Sequence, residues 1–115
     1  MYNTRTTGSG YESIAAEYLR DKGYIILHKN YRTRYSEIDL IAEDGGYLVF
    51  IEVKYRKSGK AGAPYEAVDW KKQERIRNAA LFYLQENGYV VDNTNIRFDV
   101  ISICDDSVMH IENAF

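Results

Sequence analysis

An α/β fold, with a mixed central β-sheet flanked by helices, is what this chain predicts. Two apolar strands joined through Asp44-Gly45-Gly46 form a hairpin lying between two stretches of helical periodicity, and a further apolar strand follows the second stretch. A tight turn makes its two strands antiparallel, whereas a right-handed helical crossover makes the strands it joins parallel, so the sheet is mixed. Both hairpin strands are largely apolar on both faces, which marks them as central strands covered on each side.

The elements follow in order. A helix starts at Gly8 or Ser9 and runs to about Lys22, with Ile14, Ala15, Tyr18 and Leu19 as its apolar stripe and Gly23 as its terminator. Tyr24–Leu27 reads as a short buried strand, and His28–Tyr35 as a polar, basic connection. The hairpin strands are Ser36–Ala42 and Tyr47–Lys54. The Gly- and Ser-rich segment Ser58–Pro64 reads as a loop directly after Lys54. Asp69 is a natural N-cap for a second helix reaching about Asn87, where Ile76, Ala79, Ala80, Tyr83 and Leu84 recur at helical spacing. Ile96–Ile103 is the strand after the crossover, and Val108–Glu112 reads as a short last strand.

Composition fits one domain spanning residues 1–115, large enough to bury about 65% of its unfolded surface. No apolar run approaches the ~18 residues of a membrane span, and the first ten residues are polar. The single cysteine, Cys104, excludes an internal disulfide and a cysteine-based zinc site, and suits a reducing cytoplasm as a buried thiol. Net charge is −2, but its distribution is uneven: residues 29–77 hold eleven basic and eight acidic side chains, whereas residues 78–115 hold one basic and six acidic. Contact with phosphates depends on local charge, so a basic middle segment is compatible with a nucleic-acid partner. Solvation of a loop is the plainer explanation of a run such as Lys54–Lys60.

The hairpin carries the chemistry. With Gly45-Gly46 at the centre of the turn, Asp44 pairs with Tyr47, which sets Asp39 opposite Glu52 and Glu37 opposite Lys54, all four on one face. Carboxylates directly opposite each other destabilise a sheet unless a cation is held between them. Mg²⁺ suits one or two carboxylates, with water and phosphate oxygens completing its octahedron. Lys54 beside such a site could orient a water or neutralise charge on phosphorus. Asp39, Glu52 and Lys54 therefore read as a phosphodiester-cleaving centre. The plainer reading is a polar face with one good and one bad cross-strand pair.

These residues carry a resemblance. Asp39 with Glu52-Val53-Lys54 resembles the PD-(D/E)xK nuclease superfamily. The whole chain is similar to the small bacterial YraN-like proteins, through Gly8-x-x-x-Glu12-x-x-Ala15-x-x-Tyr18-Leu19, Asn30-Tyr31-Arg32-x-Arg34, Glu37–Ala42, Phe50–Lys54 with Arg56, Ala67-Val68-Asp69, Lys72-Gln73, Arg97–Val100 and Asn113-Ala114-Phe115. Where the family usually has Gly before Glu-Ile-Asp, this chain has Ser36. The resemblance implies a restriction-endonuclease-like core with Mg²⁺ or Mn²⁺ held by Asp39, Glu52, the Val53 carbonyl and, from the first helix, Glu12. Glu37 would act beside them, as outer support or as ligand to a second ion. A plainer role for Glu12 is an acid favourable to the helix dipole.

Arg32, Arg34, Arg56, Lys72 and Gln73 are candidates for phosphate contact, against the plainer reading of solvated loop and helix-end residues. Tyr31, Tyr35, Tyr55 and Tyr65 could stack on unpaired bases, although Tyr is common in sheets and cores. His28, His110 and Asp99 read as structural or exposed, with Asp99 paired to Arg97. The expected function is metal-dependent hydrolysis of nucleic-acid phosphodiesters, with DNA implied by the superfamily and no membrane partner. A homodimer suits a domain that grips little of a duplex alone. The alternatives are a non-catalytic nucleic-acid- or protein-binding module retaining the fold, and an enzyme acting on a small phosphorylated substrate.

Overall fold

The hairpin forms in the register that its turn dictates. Leu40, Ile41, Ala42, Glu43 and Asp44 pair with Ile51, Phe50, Val49, Leu48 and Tyr47. Gly45 and Gly46 have φ of 53° and 91°, the positive values that a two-residue I′ turn needs at both central positions. The computed structural model describes residues 8–34, 36–56, 68–105 and 107–115, with no side-chain description of residues 8 and 9. The expected loop Ser58–Pro64 and residues Tyr35, Tyr65 and Ala67 lie outside them.

The described elements are α1 (Gly8–Asp21), β1 (Ile25–Arg32), β2 (Glu37–Asp44), β3 (Tyr47–Arg56), α2 (Trp70–Glu86), β4 (Asn95–Cys104) and β5 (Ser107–Ile111), with a 3-10 turn at Val91–Asn93 before β4. The sheet order is β1-β2-β3-β4-β5. Only the β3–β4 pair is parallel, as expected for strands joined through a helix. The result is an α/β structure, a mixed sheet flanked by two helices, consistent with a restriction-endonuclease-like core.

The two helices cover opposite faces. Ala15, Ala16 and Leu19 of α1 pack with Leu40, Ala42, Val49, Ile51, Ile101 and Ile103. Ile76, Ala79, Ala80, Tyr83 and Leu84 of α2 pack with Ile41, Leu48, Phe50 and Val100. Alternate residues of β3 thus enter different cores, which is why its sequence is an unbroken apolar run. Gly23, at φ 96°, ends α1 in a Schellman motif: Tyr24 N–H donates to the Leu19 carbonyl and Gly23 N–H to that of Arg20, both at 2.9 Å. Asp69 caps α2 as expected, accepting from Lys72 N–H at 2.8 Å.

One expected loop is a strand. β1 continues through His28–Arg32 and pairs with β2 from Ile25–Glu43 to Arg32–Glu37. It is an edge strand with a largely exposed surface, so its residues did not show the apolar alternation of a covered strand. Its course is irregular twice, at a register shift between Ile26 and His28 and at Asn30, whose φ is 53°. Asn tolerates this left-handed backbone better than most residues.

The irregularity at Asn30 has a counterpart at Asp39. Both lie between the paired steps Lys29–Leu40 and Tyr31–Ile38. Leu40 packs into the α1-side core, whereas Ile38 joins Tyr31 and Ile41 in the α2-side core. Sequence alternation put Ile38 and Leu40 on one face. The interrupted alternation instead places Asp39 where the two faces of the sheet meet.

Candidate functional site

The β2–β3 ladder ends at Leu40–Ile51, one step before Asp39 and Glu52. Beyond it, Val53 donates its backbone N–H to Asp39 Oδ2 at 2.7 Å. A side chain thus takes the place of a strand partner, and the two strands part around a carboxylate. Glu12 reaches this fork from α1, where it is buried and accepts a hydrogen bond from the Asn30 side chain. Glu12, Glu37 and Asp39 each place a carboxylate oxygen within 4.8 Å of the others.

Glu52 approaches from the α2 side. Its side chain is only 4% exposed, and its Oε2 lies 3.4 Å from Lys54 Nζ and 3.2 Å from Lys72 Nζ. Glu52 also lies near enough to Asp39 for its charge to act on that carboxyl. The site is therefore two clusters joined at Asp39 and Glu52: three carboxylates towards α1, and one carboxylate with two ammonium groups towards α2.

This corrects two expectations. Glu37 does not pair with Lys54: the β2–β3 ladder ends at Leu40–Ile51, while on the β1 side Glu37 pairs with Arg32, whose Nε lies 3.0 Å from Glu37 Oε2. The four charged hairpin residues do not share one face either, because the strands part at Asp39 and the straight-ladder extrapolation fails there. The unusual Ser36 is accommodated without a positive φ, which among non-glycine described residues occurs only at Asn30, Asp105 and Asn113. Its N–H donates to Thr33 Oγ1 at 3.1 Å and its carbonyl accepts from Thr33 N–H at 2.8 Å.

The electrostatics follow from this crowding. Burial, then the neighbouring charge of Glu52, pushes the Asp39 carboxyl up to about 8, against the lowering effect of the Val53 N–H. Burial also raises Glu12, opposed by its hydrogen bonds with Asn30 and Asp39. Carboxylates held in this way favour either a proton or a cation. The donors are hard carboxylate oxygens, with neither His nor Cys among the grouped residues, which matches Mg²⁺ or Mn²⁺ better than zinc.

The other candidates are distributed unevenly. Lys72 joins the site, although its sequence position linked it only to phosphate contact. Gln73 donates its side-chain amide to the Val68 carbonyl at 3.1 Å, securing the chain as it enters α2. Arg32 and Arg34 lie at and just beyond the end of β1, both exposed, and Arg56 ends β3. Tyr31 donates its hydroxyl to Glu86 Oε1, while Tyr55 stacks on Tyr11 with ring centroids 4.4 Å apart. Cys104 is half-buried rather than buried. Asn30 is the residue that sequence reading missed; its signal was an Asn within a stretch that pairs as strand.

Asp99 is paired with Arg97 as expected, but on a larger scale. Asp99 is fully buried and accepts from Arg97 Nε and Nη2 at 2.9 Å each, and from Asn113 N–H at 3.0 Å. His110 Nε2 lies 2.7 Å from Asp99, and His110 Nδ1 lies 2.9 Å from Lys22 Nζ. This network ties β4 to β5, the C-terminal turn and the end of α1. His110 is thus structural, and His28 is exposed.

Comparison with known proteins gives the family. The signature of "Uncharacterised protein family UPF0102" matches residues 11–103. The chain belongs to this family. It is the YraN family that the sequence motifs resembled. A UPF0102 protein of Lachnoclostridium phytofermentans is 45% identical over 113 residues, covering 98% of this chain and 95% of the relative. One from Thermodesulfovibrio yellowstonii is 47% identical over 104 residues, covering 90% of each. Another, from Syntrophus aciditrophicus, is 50% identical over 103 residues, covering 90% of this chain and 80% of the relative. Among the described residues, no helix is long and apolar enough to cross a membrane.

Proposed function

We propose that this UPF0102 chain is a divalent-metal-dependent nuclease that hydrolyses phosphodiester bonds, with DNA as the favoured substrate. The observation that carries the reading is the parting of β2 and β3 around Asp39, where Glu12 and Glu37 converge on it and the buried Glu52 meets two lysines. Crowded carboxylates, two of them buried, oppose folding unless a cation is held among them, so a bound cation explains the cluster better than stability does.

Asp39, Glu12 and Glu37 would hold Mg²⁺ or Mn²⁺, with Glu52 and the Val53 carbonyl as the further donors the superfamily resemblance implies. Bound there, the ion supplies Lewis acidity towards a phosphoryl oxygen. Lys54, fixed beside Glu52, orients a water towards phosphorus and offsets the negative charge that develops there. Val53 N–H fixes the Asp39 carboxylate, so the site is held before substrate arrives. Arg32, Arg34 and Arg56 position the nucleic-acid backbone.

The test is incubation of supercoiled, linear, single-stranded and branched DNA, and of RNA, with purified protein and Mg²⁺ or Mn²⁺. Cleavage by the wild type that is lost in Asp39→Asn supports the reading. Tight, metal-independent binding without cleavage would replace it with a binding module. Neither cleavage nor binding would shift it to a small phosphorylated substrate or a protein partner.

A further inference from the structure

The position of Lys72 is not explained by the Asp39, Glu52 and Lys54 pattern. It comes from a different layer of the fold, in the first turn of α2, and its backbone N–H is fixed by the Asp69 cap. Its ammonium group shares one oxygen, Glu52 Oε2, with Lys54. A carboxylate oxygen that serves two ammonium groups is poorly placed to face a divalent cation as well. If Glu52 turns towards such a cation, at least one lysine loses its partner.

We infer that Lys72 is a phosphate-gripping cation held in reserve by Glu52: metal loading frees it, and it then contacts a phosphodiester oxygen of the bound nucleic acid. This rests on the nuclease reading above and adds a coupling between the two ligands. Charge counting supports it. Four carboxylates, Glu12, Glu37, Asp39 and Glu52, face three cations, Lys54, Lys72 and Arg32. With a divalent cation bound and all four carboxylates ionised, positive charge exceeds negative by one, which matches one phosphodiester anion. Without Lys72 that excess disappears. Lys54 sits on the same strand two residues beyond Glu52, whereas Lys72 reaches it from another layer of the fold, at the start of α2. The consequence is an ordered preference: nucleic acid binds well only to the metal-loaded site.

The test is the linkage between the two ligands, which is a binding measurement and needs no turnover. Fluorescence anisotropy of a fluorescein-labelled DNA oligonucleotide, single-stranded and duplex, is measured with and without Ca²⁺ for the wild type, Lys72→Ala, Lys72→Gln and Lys72→Arg. Ca²⁺ binding alone is followed by calorimetry. In the wild type, Ca²⁺ should tighten DNA binding at least about tenfold. In Lys72→Ala and Lys72→Gln the metal-free DNA affinity should stay within about twofold, Ca²⁺ alone should bind as well or better, and the tightening should fall below about threefold. Lys72→Arg should restore much of it.

Equal weakening with and without Ca²⁺ would overturn the inference, because Lys72 would then be an ordinary backbone contact. Loss of Ca²⁺ binding in both neutral variants would also overturn it, because Lys72 would then serve only to support Glu52. A wild type that binds Ca²⁺ and DNA without coupling overturns the inference while leaving the nuclease reading intact. A wild type that binds neither removes both.

Discussion

Val53 donates its backbone N–H to Asp39 Oδ2 at 2.7 Å at the point where β2 and β3 cease to pair. The bond gives this carboxyl two tasks: it satisfies a backbone donor that has lost its strand partner, and it presents a second oxygen to the acidic cluster. The tasks are separable by substitution. Asp39→Asn keeps an acceptor for Val53 and is uncharged at every pH, so in the absence of metal it should be at least as stable as wild type. Asp39→Ala leaves the donor unsatisfied and should cost about 1–3 kcal/mol. Urea unfolding in chelator distinguishes them, and equal loss in both variants would show that the charge itself holds the fork together.

A pH dependence follows from the same carboxyl. In the folded, metal-free chain Asp39 is pushed up to about 8, mainly by burial and then by Glu52, whereas in the unfolded chain it returns to about 3.9. The folded state therefore holds this proton more tightly. Its stabilising effect is complete below the unfolded value and is lost as pH rises through about 8. The melting temperature in chelator should fall between about pH 4 and pH 8, and Asp39→Asn should flatten that slope. Mn²⁺ must displace the proton, so its affinity should rise over the same interval. Calorimetry at several pH values checks this; an affinity independent of pH would exclude Asp39 as a ligand.

Asp99 should show the opposite sign. Burial alone would raise it, but the His110, Arg97 and Asn113 hydrogen bonds outweigh burial and hold it below the usual carboxylate range. Its contribution is present above about pH 4 and is lost as pH falls through the lowered folded value. Asp99→Ala leaves Arg97, whose side chain is 11% exposed, without its main partner, and should cost about 3–5 kcal/mol. Mn²⁺ affinity should not change, since Asp99 belongs to the network tying β4 to the C-terminal turn. Loss of Mn²⁺ binding in a variant that still melts cooperatively would place Asp99 in the site.

How much of this was legible depended on whether local signals agreed with the distant ones. The hairpin was readable because the Gly45-Gly46 turn and the alternation on either side dictate one register. The core stripe of α2 was readable because Ile76, Ala79, Ala80, Tyr83 and Leu84 recur at helical spacing and all five are buried. The outer half of β1 was not, because an edge strand carries polar residues and here bends at Asn30. Asp39 and Glu52 were identified from their repulsion in an ideal ladder, and the strands avoid that ladder by parting. The partners of Glu37, Glu52 and Asp99 come from β1, α2 and β5 through tertiary packing, which sequence spacing does not encode.

The last prediction separates transition-state work from positioning. Lys54 lies 3.4 Å from Glu52, inside the fork, whereas Arg32 and Arg34 stand exposed at the end of β1. Lys54→Ala should lower the rate of DNA cleavage at saturating substrate at least about a hundredfold, the usual size of a proton-transfer or charge-stabilising role. Its DNA affinity should change only a few-fold, because one cation is a small part of a footprint spread over several phosphates. Arg32→Ala combined with Arg34→Ala should do the reverse: weaker binding, a shallower dependence of affinity on salt, and a preserved rate at saturation. Arg32 also neutralises Glu37, so Arg32→Ala alone should tighten Mn²⁺ binding slightly. Single-turnover kinetics with anisotropy at three salt concentrations reads all of these. A Lys54→Ala variant that binds poorly and cleaves normally at saturation would move Lys54 out of the chemistry and into the phosphate footprint.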